Sequence, residues 1–291
     1  MTTLLLSALV LLQPLQMSTG FVRTIDRTDG IAVSQTASRR LSAPGKPDIW
    51  LVGVAHIGLK QYYSDIQSLL DGQDVVLFEG VRPRDGSGKP SKVDPKAPKQ
   101  VYQTIGDFLG LDFQLADINY DHDNWLNSDL TLDELDKLNK KTSNGKPSQF
   151  DTIKQMLSPG SEQSKMLGTF FKTASPGVKE ALKIFLVDKL AKVDTVLASF
   201  ADPATINILL TARNQSISRT LDAELAKPNP PKSIAIFYGA AHQSDVKKTI
   251  VAKYGYHEVE QRWFTFATAD RHKLDDAGRQ FLKMFSTAKL F

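Results

Sequence analysis

The sequence predicts an α/β fold around a central, mainly parallel sheet, and three stretches carry that prediction. Val75-Val76-Leu77-Phe78 is a continuous apolar run, the pattern of a strand covered on both faces of a parallel sheet. It follows a first apolar run, Ile49-Trp50-Leu51-Val52, and a helix-spaced set, Ile66, Leu69 and Leu70. Strand, helix and strand within about thirty residues make a βαβ unit, whose crossover is right-handed. Finally, residues 149–226 are helical by pattern throughout and separate two strand-rich ends that look alike.

Residues 4–15 form an apolar stretch too short to span a bilayer. It matches the core of a secretory signal, with Ser18-Thr19-Gly20 as small residues for cleavage, although no basic side chain precedes it. Residues 1–20 are therefore expected to be a signal peptide directing export to the periplasm or outside, and left uncleaved they would be the only membrane contact. Residues 21–46, rich in Thr, Ser, Asp and Arg, read as a linker, and 47–291 as a single domain.

Within that domain, Ile49 to His56 is a strand ending in Gly53-Val54-Ala55-His56, and residues 59–70 form a helix closed by Asp71-Gly72. The second strand ends in Glu79-Gly80 and is expected beside the first. Residues 82–99, dominated by Pro, Gly, Ser and Lys, read as a mobile loop. A helix over 101–109 and a short strand over 113–118 follow, then the polar segment Asn119-Tyr120-Asp121-His122-Asp123-Asn124-Trp125. Thr131 with Glu134 three residues on is a capping box that starts a helix reaching about residue 141. Residues of about 131–226 read as a helical insertion lying as a lid over the sheet. Ser175 before Pro176 and Asp202 before Pro203 each place an N-cap ahead of a proline at the first helical position.

Pro228-Asn229-Pro230-Pro231 leads back to a strand, Ile234 to Gly239, ending in Gly239-Ala240-Ala241-His242. A helix to Tyr254, stopped by Gly255, a strand or edge hairpin over 256–267 and an amphipathic helix over 272–286 complete the chain.

Composition excludes several classes. Of the 291 residues 41% are hydrophobic and 23% charged, as in a globular protein with a core of its own. A net charge of +4, from 36 basic against 32 acidic side chains, is too slight to indicate nucleic acid, and no basic run is interleaved with aromatics. With no cysteine, thiolate metal sites, cysteine nucleophiles and disulfides are all ruled out.

The chemistry concentrates in the repeated strand-Gly-x-Ala-His design. Ligands of open α/β sheets bind beyond the carboxyl ends of the strands, where His56 and His242 could face one site, with Gly53 and Gly239 turning the backbone tightly. Paired imidazoles can bind a transition metal, or one can act as a base on water. Glu79, buried at the mouth of the sheet, needs a metal, a histidine or an arginine as partner. Arg213 and Asn214, in an apolar-faced helix, are candidates to line the site, with Arg213 steadying an oxyanion and a buried Glu79. Tyr120 and Asp121 are expected to line it too, Asp121 as a further or outer ligand or as part of a solvated turn.

This ordered set of two Gly-x-x-His motifs, Phe78-Glu79-Gly80 after the first and Arg213-Asn214 before the second, resembles the TraB/PrgY/GumN proteins. Their wider group includes the Tiki metalloproteases, the ChaN haem-binding lipoproteins and the erythromycin esterases. The likeness spans roughly residues 48–267. It implies an α/β core of two related halves around the helical insertion. It also implies a divalent cation (zinc, manganese or cobalt) held by His56, His242 and Glu79 and cleaving peptide bonds. The esterase branch implies instead a metal-free histidine base acting on a small ester, and the ChaN branch a surface that binds haem; a site that binds a peptide or haem without turnover is the non-catalytic alternative.

Overall fold

The computed structural model describes residues 20–82, 101–158, 160–190 and 201–287. The expected signal segment up to residue 19 and the expected mobile loop from residue 83 lie outside them.

The sheet is mixed, with four parallel strands at its centre. β3 (Asp48–Val54), β8 (Ser233–Gly239), β5 (Val75–Phe78) and β7 (Trp125–Asn127) lie side by side in that order, all parallel. On the far side of β3 runs β2 (Ile31–Ser42), antiparallel, with β1 (Val22–Asp26) beside its first half and β9 (His257–Asp270) along its other edge. The expected linker is thus two strands of the sheet. Its Thr, Ser and Arg content misled because the alternation of half-buried and buried residues in β2 puts polar side chains into paired positions: Thr36 shares a hydrogen bond with the Tyr62 hydroxyl, and Arg39 with Glu258.

β5 does not neighbour β3 as expected, because β8 inserts between them. Its run from Ile234 to Tyr238 is 0% exposed, as the central position demands. Alternation then sorts the side chains. Trp50, Val52, Val54, Val76, Phe78, Ala235 and Phe237 face one layer, filled by Tyr62, Tyr63, Ile66 and Leu70 of α1 (Lys60–Asp71). Ile49, Leu51, Leu77, Ile234, Ile236 and Tyr238 face the other. There Ile217 and Leu221 of α9 (Ala212–Leu225) pack with Val246 and Ile250 of α10 (Ala240–Tyr254). Adjacent strands β3 and β8 therefore send their helices to opposite faces, which opens a crevice at their carboxyl ends.

Short pieces frame it. β4 (Ile57–Gly58) pairs with β6 (Asp112–Phe113), and α2 (Val101–Leu109) packs over them. The strand expected over 113–118 is instead β6 followed by a helical turn, α3 (Gln114–Asp117), an apolar run too short for periodicity to decide. The insertion holds α4 (Leu132–Ser143), α5 (Gln149–Leu157), α6 (Glu162–Thr173), α7 (Pro176–Leu190) and α8 (Pro203–Ile206). The Thr131–Glu134 capping box is present, and Ser175 and Asp202 accept the expected amide bonds from Val178 and Thr205. α8 continues into α9 through a π-helical turn, Asn207–Thr211. The C-terminal helix, α11, spans Asp276–Thr287. Among the described residues no helix is long and apolar enough to cross a membrane.

Candidate functional site

The two Gly-x-x-His motifs share a sequence but not a backbone. β3 continues through Gly53 to Val54, and His56 follows in the turn to β4. β8 stops at Gly239, and His242 sits in the first turn of α10. Neither glycine has a positive φ, so neither is there for a tight turn; both are there for space. A Cβ on Gly53 would come 3.1 Å from the Ala37 carbonyl oxygen. One on Gly239 would lie 3.2 Å from Glu79 Oε2, 3.8 Å from His56 Nε2 and 3.9 Å from His242 Cδ2. Both histidines and the glutamate therefore surround one point, against the bare backbone of Gly239.

Each imidazole is oriented by an amide side chain. His56 Nδ1 lies 2.9 Å from Gln114 Oε1, and Gln114 Nε2 donates to the Tyr120 hydroxyl at 2.8 Å, which fixes the oxygen as the acceptor. His242 Nδ1 lies 2.7 Å from Asn214 Oδ1. With Nδ1 donating to an amide oxygen in both rings, Nε2 is the nitrogen that each ring turns toward the shared point. Burial pulls His242 down to about 4 against the opposing charge of Glu79, so it is neutral at pH 7. The Tyr102 ring lies 5.1 Å from His56, and its hydroxyl is held above its ordinary pKa by burial and by Glu79.

Glu79 is held from two sides. Oε1 accepts from Arg213 Nη2 at 2.7 Å, Oε2 accepts from the Gly239 N–H at 2.5 Å, and His242 Nε2 stands 3.7 Å from Oε1. Burial pushes its carboxyl up, but Arg213, the two imidazoles and the Gly239 amide outweigh it and keep the group ionised well below the usual range. Arg213 also grips Asp129, Nε to Oδ1 at 2.9 Å and Nη2 to Oδ2 at 2.5 Å, while Nη1 donates to the Leu209 carbonyl. Burial pulls its pKa down, and the two carboxylates more than offset that. Each guanidinium nitrogen thus has an acceptor within the protein, and Arg213 buttresses Glu79. The π turn places it: an extra residue in the helix ahead of Arg213 and Asn214 sets their direction.

His56, Glu79, Arg213, Asn214, His242 and Gly239 thus converge as the sequence suggests, Gly53 packs behind them, and Tyr120 backs Gln114. Asp121 does not join them; it is exposed in a turn, its amide donating to Asn119 Oδ1. The carboxylate that does belong is Asp129, fully buried and also accepting from the Gly80 and Leu130 amides. It and Gln114 escaped sequence reading: Asp129 looks like a lead-in to the capping box, and Gln114 sits in the run misread as strand.

The expected cation site fits only in part. Two imidazole nitrogens are available, but both oxygens of Glu79 are already bonded. Among the described residues no group of three His, Asp or Glu side chains is arranged to hold a metal ion. No protein-family model, curated protein or solved structure matches this chain.

Proposed function

We propose that this chain is a hydrolase of peptide or small ester bonds in which an imidazole of the His56–His242 pair, rather than a metal, takes the proton from the attacking water. One observation carries the reading: two imidazoles, each with Nδ1 tied to an amide oxygen, direct their Nε2 atoms at one point beside an ionised, nearly buried Glu79, and the His242 ring is neutral. A base needs a lone pair within reach of water and a neighbour that stabilises the cation it becomes. Glu79 is that neighbour for His242, and Arg213 with the Gly239 amide holds Glu79 in place. The first turn of α10 has no side-chain cap, so its amides can receive charge developing on the carbonyl oxygen. The likeness to the TraB/PrgY/GumN group, with its two related halves, supports the same place for the site through the order of its motifs.

The test is hydrolysis of a panel of peptides, p-nitrophenyl esters and lactones after exhaustive chelation. Turnover should persist, and His56→Ala or His242→Ala should lower kcat/KM by about 10²–10⁴-fold, the usual worth of a positioned base. Activity lost on chelation and restored by zinc, manganese or cobalt would replace this reading with a metal-dependent one, in which the same two nitrogens are ligands. Binding of peptide, or a Soret band with haem, without turnover would make the site a receptor.

A further inference from the structure

We propose that Tyr62 and Tyr63 are positioning residues for His56, acting through the Ala55 peptide group that joins β3 to the histidine. Pairing of β3 with β8 ends at Val54 and Gly239, so the N–H and C=O of Ala55 have left the ladder and need other partners. Two successive residues of α1 supply both. The Ala55 N–H donates to the Tyr62 hydroxyl at 3.0 Å, and the Tyr63 hydroxyl donates to the Ala55 carbonyl at 2.9 Å. The two tyrosines are 1% and 0% exposed, so both hydroxyls meet the half-buried Ala55 peptide from the core side. Tyr62 is anchored in turn, its hydroxyl 2.9 Å from Thr36 Oγ1 on β2.

On the other side of the histidine, the Gln114 amide donates to the His56 carbonyl at 3.0 Å while its side chain takes Nδ1. The imidazole hangs from backbone clamped before and after it, and the direction of Nε2 follows. His242 has no equivalent and needs none, because the first turn of α10 fixes its backbone. Rings alone would fill the core equally well; two hydroxyls meeting one peptide group immediately ahead of the histidine have a further use. The kinetic consequence depends on the hydrolase reading, whereas the clamp itself does not.

The experiment uses the full chain, with Tyr62→Phe, Tyr63→Phe and the double variant, each checked for folding by circular dichroism. Tyr256→Phe is the control, since that buried hydroxyl donates to the Pro47 carbonyl just ahead of the opposite end of β3. Amide exchange at Ala55 should speed up about tenfold in Tyr62→Phe, the effect of one lost hydrogen bond. The His56 ring nitrogens, of which Nδ1 is tied to Gln114 in the wild type, should move toward averaged NMR positions in the double variant. With the hydrolysed substrate, kcat should fall about tenfold with KM within about twofold. Tyr256→Phe should change none of these. Unchanged Ala55 exchange in a folded Tyr62→Phe, or unchanged His56 ring signals in the folded double variant, overturns the proposal. If the double variant does not fold, Thr36→Val loosens only the outer anchor, and unchanged His56 and Ala55 signals there overturn it equally. A wild type that hydrolyses nothing sinks the hydrolase reading and leaves both NMR measurements decisive.

Discussion

Arg213 donates through all three of its guanidinium nitrogens, and two of its acceptors are the carboxylates of Glu79 and Asp129. Removing one partner of a buried charge cluster leaves the others uncompensated, at a cost of about 3–5 kcal/mol. Arg213→Met should lose that much in urea unfolding at pH 7. Arg213→Lys, which keeps the charge but cannot fork between two carboxylates, should lose less. The pH dependence has a definite sign. Glu79 is held below its ordinary value of 4.5, so its contribution is present above pH 4.5 and disappears as pH falls through the lower folded value. The stability gap between wild type and Arg213→Met should therefore narrow as pH drops below 4.5, and a gap constant down to pH 2 would contradict the ion pair. His242 works in the same direction. Its pKa falls from 6.5 to about 4 on folding, so between those values the unfolded chain takes a proton that the folded ring refuses. Stability should decline across that window, less steeply in His242→Gln, with the wild-type ring still neutral by NMR at pH 5.5.

At the scale of the element, the π turn Asn207–Thr211 joins the helical insertion to the site. Within the turn, Ile208 packs with Leu130, Leu135, Phe150 and Ala212 in the core of the insertion. Downstream, Ile217 and Leu221 seat α9 against the sheet, and Arg213 and Asn214 project from it into the site. Deleting Leu210 would restore α-helical winding and turn one side by about 100° against the other. Because Ile217 and Leu221 seat α9 on the sheet and Arg213 and Asn214 tie it to the site, the mismatch should fall on the preceding side and Ile208 should leave its core. The expected loss is about 2–5 kcal/mol, that of a buried aliphatic side chain, with the helical circular dichroism retained and faster proteolysis within residues 131–206. A deletion that costs nothing would mean that the π turn carries no registration.

At the scale of the whole molecule, the N-terminal strands belong to the fold. β2 covers the edge of β3 and pairs with β9 along its full length. The buried Arg39 of β2 meets Glu258 and the Gly20 carbonyl, and Thr36 of β2 anchors Tyr62. A chain beginning at residue 43 would leave Glu258 with Lys247 as its ion-pair partner in place of Arg39 and would bare two strand edges. It should be insoluble or molten, whereas a true linker could be removed without effect on thermal unfolding.

The sequence by itself determined the elements whose signals are local. The apolar runs at Val75–Phe78 and Ser233–Gly239, the helical spacing of α1 and the Thr131–Glu134 box all formed as read. The histidine pair and Glu79 were legible because a titratable group just past a buried strand needs a partner, and Arg213 because it interrupts an apolar-faced helix. Tertiary structure alone decided which strands are neighbours. β8 enters between β3 and β5, where its run from Ile234 to Tyr238 is covered on both faces, and β2 became a strand only because β3 and β9 lie on either side of it. The same long-range pairing chose Asp129 over Asp121 and gave Gln114 to His56. Those partners are separated from the residues they serve by 84 and 58 positions, and no periodicity within a helix or strand reaches that far.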